Sequence, residues 1–267
     1  MDADFAKFAD MNIDLVIGGS PCTFWSIAKA QREIDKSGMG WKLFMCFVEA
    51  VRHIKPRYFL LENVASMPAS IKAFISEELG CEPVSINSSL MSAQHRKRLY
   101  WTNIKGITQP EDRGILLRDI LETGMTTREK SYCIDAGYYK GSSRKNFDNQ
   151  NGKRQTVYEP IAFADKSQTV LATLYSVSAK TISLKSQSGE DAPTELSKID
   201  LPDGDYVVRK LTPIEAERCQ TLPDNYTAWG GIDDKGNVVK ISNTQRYRGI
   251  GNCFTVDVIA YILNYVY

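Results

Sequence analysis

Residues 13–22 read IDLVIGGSPC, an apolar run followed at once by two glycines, a serine, a proline and a cysteine. A short continuous apolar run is typical of a strand buried on both faces, and it predicts one over residues 13–17. Gly18 and Gly19 permit a tight turn in which a ligand approaches the backbone closely. Because ligands bind at the carboxyl ends of strands in α/β sheets, this turn places Cys22 at a candidate site.

Helical and strand patterns alternate from this turn to residue 104. Apolar residues recur at helical spacing over residues 41–54 and 69–79, which predicts two helices. Further apolar runs predict strands over residues 58–61, 83–87 and 98–104. The alternation predicts an α/β fold with a parallel-rich sheet and helices on both faces.

The middle of the chain, residues 105–208, has short strands and polar turns in place of helices. Strands are predicted over residues 156–163, 169–175 and 180–184. Within residues 128–154, Lys and Arg outnumber Asp and Glu by seven to three, and aromatic residues lie among them. Such a stretch either contacts the phosphates and bases of a nucleic acid or forms a solvated insert.

Helical signals return towards the end of the chain. Thr212 and Glu215 have the spacing of a capping box, with a proline between them, which predicts a helix over residues 213–220. Another helix is predicted over residues 255–265. The glycine-containing run at residues 249–252 resembles half of a dinucleotide-binding loop, but no strand leads into it.

Composition argues against several classes of protein. The chain has 267 residues, of which 43% are hydrophobic and 24% charged, as in ordinary soluble globular proteins of one or two domains. Its net charge of +1 gives no general affinity for nucleic acid, so such a partner depends on local patches. We expect no membrane span and no secretory signal. Six cysteines without a CxxC pair, and two histidines, predict no metal site and a reducing, cytoplasmic environment.

Reactive side chains lie at or next to three predicted strands. Cys22 is a candidate nucleophile, although its spacing fits a buried structural cysteine equally well. Glu62 follows the apolar run at residues 58–61 and is either a proton donor or a capping or salt-bridging residue. Arg96 and Arg98 alternate along the chain, so in a strand they share one face. There they either hold an anion or a polar carbonyl or form an exposed basic edge.

Five motifs occur in order from one end of the chain to the other. They are GGSPC at 18–22, ENV at 62–64, QHRKR at 94–98, RKLTPIEAERCQTLPDNYT at 209–227 and QRYRGIGNCFTV at 245–256. Together they resemble the cytosine-C5 DNA methyltransferase family, and most of all its bacterial and phage modification enzymes. The resemblance implies an α/β, Rossmann-like, S-adenosylmethionine-dependent methyltransferase sheet and a smaller, strand-rich target recognition domain. Residues 1–104, completed by 245–267, would form the catalytic domain, and residues 105–244 the recognition domain.

The resemblance also implies a role for each reactive residue. Cys22 adds as a thiolate to C6 of cytosine, Glu62 protonates N3, Arg96 binds the carbonyl oxygen O2, and Arg98 helps to order the site. C5 then takes the methyl group of S-adenosylmethionine, and loss of the C5 proton expels Cys22. Because C5 is unreachable inside a duplex, the base is flipped out of double-stranded DNA.

Further contacts follow from the same motifs. The resemblance implies that S-adenosylmethionine is contacted by Pro21, Asn252 and Phe254. It implies substrate contacts from Ser26, Asn63 and Val64. Residues 24–40 would form a mobile loop that closes over the flipped base.

One departure from the family pattern concerns the binding of S-adenosylmethionine. Family members begin with a strand and an FxGxG glycine loop that holds this molecule, followed by an acidic residue for the ribose. The residues before Ile13 contain no such loop, so the resemblance implies an N-terminally truncated sheet. We expect a fragment, one subunit of a split methyltransferase whose partner carries the cofactor-binding half, or a decayed copy.

Three other interpretations stay open. A non-catalytic DNA-binding or regulatory paralogue is favoured by the missing glycine loop and opposed by the joint presence of Cys22, Glu62, Arg96 and Arg98. The tRNA-methylating branch of the family has a shorter recognition insert than residues 105–208 provide. An unrelated α/β acyl transferase would need a histidine base near Cys22, and neither histidine has that position.

Overall fold

The computed structural model describes residues 8, 11–27, 29–140, 154–161, 179–184, 201–202, 204–233 and 235–266, with the backbone alone over 179–184. The strand predicted over residues 169–175 lies outside this set. Contacts divide the chain into two compact units. The first comprises Met1–Asn87, Lys97–Pro110 and Val258–Tyr267, and the second comprises Ser88–Arg96 and Glu111–Asp257. Residues 88–96 and 245–257, which we expected in the catalytic domain, therefore belong to the second unit.

A four-stranded sheet forms the core of the first unit. Its strands are β1 Leu15–Gly18, β2 Tyr58–Val64, β3 Val84–Asn87 and β4 Lys97–Thr102, in the order β1-β2-β4-β3. β1 runs parallel to β2, whereas β4 runs antiparallel to both β2 and β3. The prediction of a parallel-rich sheet is wrong for β4. A parallel pairing of β3 with β4 needs a crossover connection, and residues 88–96 return the chain directly.

Two helices pack against one face of this sheet. Their bounds are α1 Met39–Ile54 and α2 Ala69–Leu79, in agreement with the predicted helices. Phe44 and Val48 of α1 and Ile71 of α2 join Leu61 of β2 and Trp101 of β4 in one buried apolar cluster. Because Leu61 and Trp101 are cross-strand partners, their side chains share a face, and both helices cover it. We expected helices on both faces of the sheet, but α1 and α2 lie on the same face.

The second unit combines a sheet, a ribbon and helices. Its described elements are α3 Leu117–Ile120, β5 Thr156–Pro160, β6 Ala179–Leu184, β7 Gly204–Lys210, α4 Pro213–Cys219, β8 Trp229–Ile232, β9 Val238–Lys240 and α5 Asn243–Asn252. The antiparallel sheet has the order β5-β7-β6, and β8 and β9 form the ribbon. The last helix, α6 Val256–Leu263, leads the chain back into the first unit. Among the described residues, no helix combines the length and apolar character that a membrane span requires.

Helix α4 begins at the predicted capping box and is tied to the sheet by buried charges. Thr212 Oγ1 accepts a hydrogen bond from the Glu215 amide at 3.1 Å. The Glu215 carboxylate also accepts hydrogen bonds at 2.7 and 2.8 Å from Arg209, which donates to Glu159 of β5 at 2.8 Å. Burial acts to lower the pKa of Arg209, but hydrogen bonds and charges from Glu215 and Glu159 outweigh it and raise that pKa. These contacts join β5, β7 and α4 into one block.

Candidate active site

The turn that follows β1 is fixed to the end of β2. Gly18 pairs with Leu61, so both strands end at the same edge of the sheet. Asn63 Nδ2 donates to the Ser20 carbonyl oxygen at 3.1 Å and to Ser20 Oγ at 2.9 Å. The Asn63 side chain is completely buried, and its Oδ1 accepts from the Val64 amide at 2.8 Å. Val64 is itself buried. Both side chains thus face the protein interior, and the substrate contacts expected of these two residues stay a prediction.

Cys22 begins the short 3-10 turn that leaves this edge. Its carbonyl oxygen accepts hydrogen bonds from the amides of Trp25 at 3.1 Å and Ser26 at 2.9 Å. The Trp25 side chain is completely buried in the apolar cluster of the first unit, whereas Cys22 and Ser26 are partly buried. Pro21, exposed at the start of the turn, has the backbone angles φ −55° and ψ 116°. The anchored Trp25 and the proline hold the Cys22 thiol at the sheet edge with part of its surface accessible.

An ion pair lies at the same end of β2. Arg98 Nε of β4 is 2.8 Å from Glu62 Oε1 of β2, and the two side chains are 12% and 13% exposed. Glu62 is the cross-strand partner of Tyr100, and Arg98 that of Val64, so Glu62 and Arg98 are diagonal neighbours on one face. The register of β2 and β4 thus brings together the carboxylate and one of the two predicted arginines.

Arg96 has different surroundings and belongs to the second unit. Its guanidinium donates to three backbone carbonyl oxygens, of Ile134 at 3.0 Å, Cys253 at 2.8 Å and Gly251 at 3.3 Å. The side chain is buried. Arg96 and Arg98 were expected to share a strand face, but β4 begins at Lys97, so the alternation does not extend to Arg96. These hydrogen bonds give Arg96 a buried environment within the second unit.

The residues expected to bind S-adenosylmethionine are divided between the units. Pro21 lies in the first unit, and Asn252 and Phe254 lie in the second. Asn252 is exposed at the last position of α5, and Phe254 is partly buried two residues later. The run at residues 249–252 was expected to form a loop before a helix, but it forms the last turn of α5. A Cβ atom on Gly251 would clash with the backbone of Asp135 and Ala136, so this glycine serves close packing.

Sequence reasoning missed a buried chain of amides that connects three of the motifs. Gln94 Nε2 donates to Gln220 Oε1 at 2.9 Å, and Gln220 Nε2 donates to the Ile250 carbonyl at 2.8 Å. Thr255 Oγ1 donates to Gln220 Oε1 at 2.9 Å. The signal that could have found these residues is that all of them lie within the ordered motifs. Within the described part of the chain, no group of His, Cys, Asp and Glu is arranged to hold a metal ion.

Comparisons with known proteins identify the family of the chain. The family model for C-5 cytosine-specific DNA methylase matches residues 1–267. Type II methyltransferase M.BspRI of Lysinibacillus sphaericus is 26% identical over 290 residues, covering 96% of this chain and 61% of the relative. Type II methyltransferase M.HpaII of Haemophilus parainfluenzae is 24% identical over 273 residues, covering 94% and 71%. The chain thus spans about three fifths to seven tenths of the length of these relatives.

Solved structures show the same fold. A putative DNA modification methyltransferase encoded within an E. coli prophage matches with a TM-score of 0.51 at 20% identity, covering 100% of this chain and 83% of that one. The S. pombe Dnmt2 methyltransferase matches with a TM-score of 0.51 at 15% identity, covering 98% and 80%. Because the family model matches the whole sequence, the chain belongs to the C-5 cytosine-specific DNA methylase family.

Proposed function

We propose that the first unit carries the reactive groups of a DNA cytosine-C5 methyltransferase, and that the second unit reads the DNA target. The observation that carries this proposal is the ion pair of Glu62 and Arg98, 2.8 Å apart, at the strand end beside the Cys22 turn. An ion pair that is largely removed from water contributes little net stability, because desolvation offsets the attraction. A chemical role accounts for its presence better than a structural one.

In this proposal Cys22 is the nucleophile. Its thiolate forms a bond to C6 of the flipped cytosine, and the electrons of the C5–C6 double bond move through the ring towards N3. C5 thereby gains the electron density of an enamine carbon. S-adenosylmethionine supplies the methyl group that C5 accepts. Water then takes up the C5 proton, the C5–C6 double bond re-forms as the Cys22 thiolate leaves, and N3 gives up the proton it received, which leaves 5-methylcytosine and S-adenosylhomocysteine. The buried Trp25 and the amide of Asn63 hold the turn during both steps.

Glu62 and Arg98 act on the opposite edge of the base. Glu62 takes up a proton from water and passes it to N3 as the Cys22 thiolate adds, so no full negative charge accumulates on the ring. Arg98 orients the Glu62 carboxylate and donates a hydrogen bond to O2. This assignment exchanges the two arginine roles expected from the motifs. It is supported by the contact between Arg98 and Glu62, and by the three backbone carbonyls that occupy Arg96.

An exposed side chain suits a part of S-adenosylmethionine. The exposed Pro21 ring beside the turn offers an apolar contact for the methionine end. The FxGxG loop that the family uses for the rest of the molecule does not occur among the 267 residues. We therefore propose that a further polypeptide segment, continuous with this one or a separate subunit, supplies that loop. The position of β1 at the edge of the described sheet, with Ile17 38% exposed, supports such a neighbour.

Calorimetry tests the need for this segment. A binding site normally buries most of a ligand of this size, and a half-open site does not offset the cost of ordering it. We expect residues 1–267 alone to bind S-adenosylmethionine with a Kd of about 1 mM or weaker. Adding a polypeptide with the FxGxG strand–loop–helix unit should tighten binding and permit methyl transfer. Micromolar binding by the isolated chain would overturn this part of the proposal.

The proposed substrate is double-stranded DNA. In a duplex, C5 of cytosine becomes accessible when the base is flipped out of the stack. The bacterial relatives are named Type II methyltransferases, and we propose that this chain takes part in the sequence-specific modification of DNA. Residues 105–244 would select the site. The protein would act in the cytoplasm of a bacterium, whether encoded by the cell or by a phage.

Covalent trapping tests the chemical proposal. The reaction contains the chain, the FxGxG polypeptide, S-adenosylmethionine and a duplex in which 5-fluorocytosine replaces every cytosine. Fluorine cannot leave C5 as a proton does, so the bond between Cys22 and C6 persists and the adduct survives denaturing electrophoresis. We expect an adduct with the wild type and with Cys219→Ser, and none with Cys22→Ser. An adduct with Cys22→Ser, or none with the wild type, would contradict the proposal.

A further inference from the structure

Four cationic side chains converge on one tyrosine of the second unit. Tyr139 lies on the 3-10 turn Tyr138–Lys140, and its neighbours come from four places in the chain. We call the group the Tyr139 cluster, and its cations are Lys140, Arg154, Lys210 and Arg248. Arg248 of α5 donates to the Tyr139 hydroxyl at 3.3 Å and lies 5.0 Å from its ring centroid. Lys210 at the end of β7 donates to the Tyr139 carbonyl at 2.8 Å, and the Lys140 ammonium is 5.9 Å from the ring.

The surroundings of Tyr139 are strongly electropositive. The hydrogen bond from Arg248 lowers the pKa of the Tyr139 phenol, and the charges of Lys140, Arg248 and Arg154 lower it further. Burial lowers the pKa of Lys210, and the nearby charge of Arg154 adds to that effect. A carboxylate oxygen of Asp135 lies 4.0 Å from Arg154. The cations repel one another, and an anion placed among them would relieve this repulsion.

Two buried tyrosines anchor the Tyr139 cluster. Tyr138, directly before Tyr139, is buried, and its hydroxyl donates to the Gln155 carbonyl at 2.7 Å and accepts from the Leu211 amide at 3.0 Å. Tyr247, directly before Arg248, is buried with its ring centroid 5.6 Å from that of Tyr138. Two adjacent buried tyrosines thus hold Tyr139 and Arg248 at fixed positions. The cations are arranged before any ligand arrives, which lowers the entropic cost of binding.

We propose that the Tyr139 cluster binds phosphate groups of the DNA backbone, so that the second unit grips the duplex independently of its sequence. This inference rests on the proposed function. The guanidinium groups of Arg154 and Arg248 match the geometry of phosphate oxygens, and the lysines act as point charges. The Tyr139 phenol provides a further donor. Neutralising cations at phosphates is the usual source of sequence-independent affinity for DNA.

The position of Arg248 connects the cluster with the motifs. Arg248 lies on α5 three residues before Gly251, which is close to one helical turn. The Gly251 carbonyl accepts a hydrogen bond from Arg96 at 3.3 Å. A phosphate held by Arg248 would therefore lie about one helical turn from the Gly251 carbonyl that anchors Arg96.

The salt dependence of DNA binding tests the inference. Fluorescence anisotropy of the full chain with a labelled duplex, across a series of NaCl concentrations, gives the slope of log Kobs against log salt. Each phosphate contact contributes about 0.9 to that slope. We expect Arg248→Gln and Lys140→Gln each to make the slope shallower by about 0.9 and to weaken binding of any sequence roughly tenfold at low salt. Arg248→Lys keeps the charge and should keep most of the slope.

Controls make the result specific. Arg118→Gln removes an exposed arginine of α3 outside the cluster and should leave the slope unchanged. Circular dichroism and thermal unfolding verify that each variant is folded. Unchanged slopes in folded Arg248→Gln and Lys140→Gln would overturn the inference, as would an effect confined to an RNA duplex. The trapping reaction at low salt and saturating DNA reports on the proposed function separately, because it depends on Cys22 and not on the slope.

Discussion

Asn63 at the end of β2 donates hydrogen bonds from one amide nitrogen to both the carbonyl oxygen and the hydroxyl of Ser20. This contact links two segments more than 40 residues apart in sequence. It sets the distance between the strand end that carries Glu62 and the turn that carries Cys22. In the proposed function, the pair of Asn63 and Ser20 would position both groups that react.

Replacing Asn63 should uncouple the turn from the strand. Asn63→Ala leaves the Ser20 carbonyl and the Val64 amide without their partner, so we expect a loss of about 1–3 kcal/mol of unfolding free energy. The rate of covalent trapping should fall, since the turn that carries Cys22 is no longer tied to the strand that carries Glu62. Ser20→Ala removes one acceptor and should cost only about 0.5–1.5 kcal/mol. Urea unfolding and the trapping rate provide the measurements, and a wild-type trapping rate in Asn63→Ala would refute the positioning role.

The two arginines should respond differently to the same substitution. Arg98→Gln removes the partner of Glu62, and we expect adduct formation to slow by about 10²-fold or more, as for loss of an assisted proton transfer. Arg96→Gln removes charged hydrogen bonds to three carbonyls, so the expected effect is a lower Tm.

Rapid-quench trapping and thermal unfolding separate these effects. The Tm of Arg96→Gln should fall further than that of Arg98→Gln, while its trapping rate at low temperature stays closer to the wild type. If Arg98→Gln trapped DNA at the wild-type rate, the exchange of roles proposed for the arginines would be wrong.

Two glycines of α5 form a matched pair. A Cβ on Gly251 would clash with the backbone of Asp135 and Ala136, whereas a Cβ on Gly249 would have open space. Gly251→Ala should therefore destabilise the second unit by about 1–3 kcal/mol. Gly249→Ala should stabilise it by about 0.5–1 kcal/mol, because alanine has the higher helix propensity. Thermal unfolding checks both signs, and equal effects at the two positions would disprove the packing role of Gly251.

The buried cation of the second unit should matter far more than an exposed one. Arg209→Ala leaves Glu159 and Glu215 buried without their charge partner, and we expect a loss of about 3–5 kcal/mol. Arg218→Ala breaks a pair with Asp224 in which both side chains are substantially exposed. That change should cost about 1 kcal/mol or less. Denaturant unfolding of the full chain measures both losses of unfolding free energy. If Arg209→Ala cost no more than Arg218→Ala, the stability of the block would not depend on the buried charge of Arg209.

The elements that the sequence predicted well share one property, a strong local pattern. The apolar periodicity of α1 and α2 and the capping box at Thr212 and Glu215 were sufficient to locate their helices. Helix α5 was missed because NTQRYRGIGN is mostly polar and contains two glycines, so it has no apolar stripe. Its stability comes from tertiary contacts that a local pattern does not contain.

In the candidate site, too, the sequence predicted what is local and missed what depends on contacts between distant segments. Motif resemblance selected Cys22, Glu62, Arg96 and Arg98, but it did not assign the arginines to their surroundings. That assignment depends on where β4 begins, and strand ends are set by pairing with β2 and β3. The role of Asn63 was equally inaccessible, because its hydrogen bonds connect two segments that are distant in sequence.

The amide chain of the second unit has a consequence for how the protein is made. Gln94 and Gln220, which share a hydrogen bond, are separated by 126 residues. A ribosome adding about 5–20 residues per second takes roughly 6–25 s to cover that interval. During this interval, residues 88–96 lack the later segments that enclose them in the folded protein. The second unit therefore cannot complete this buried contact until late in synthesis, after residue 220 has emerged from the ribosome.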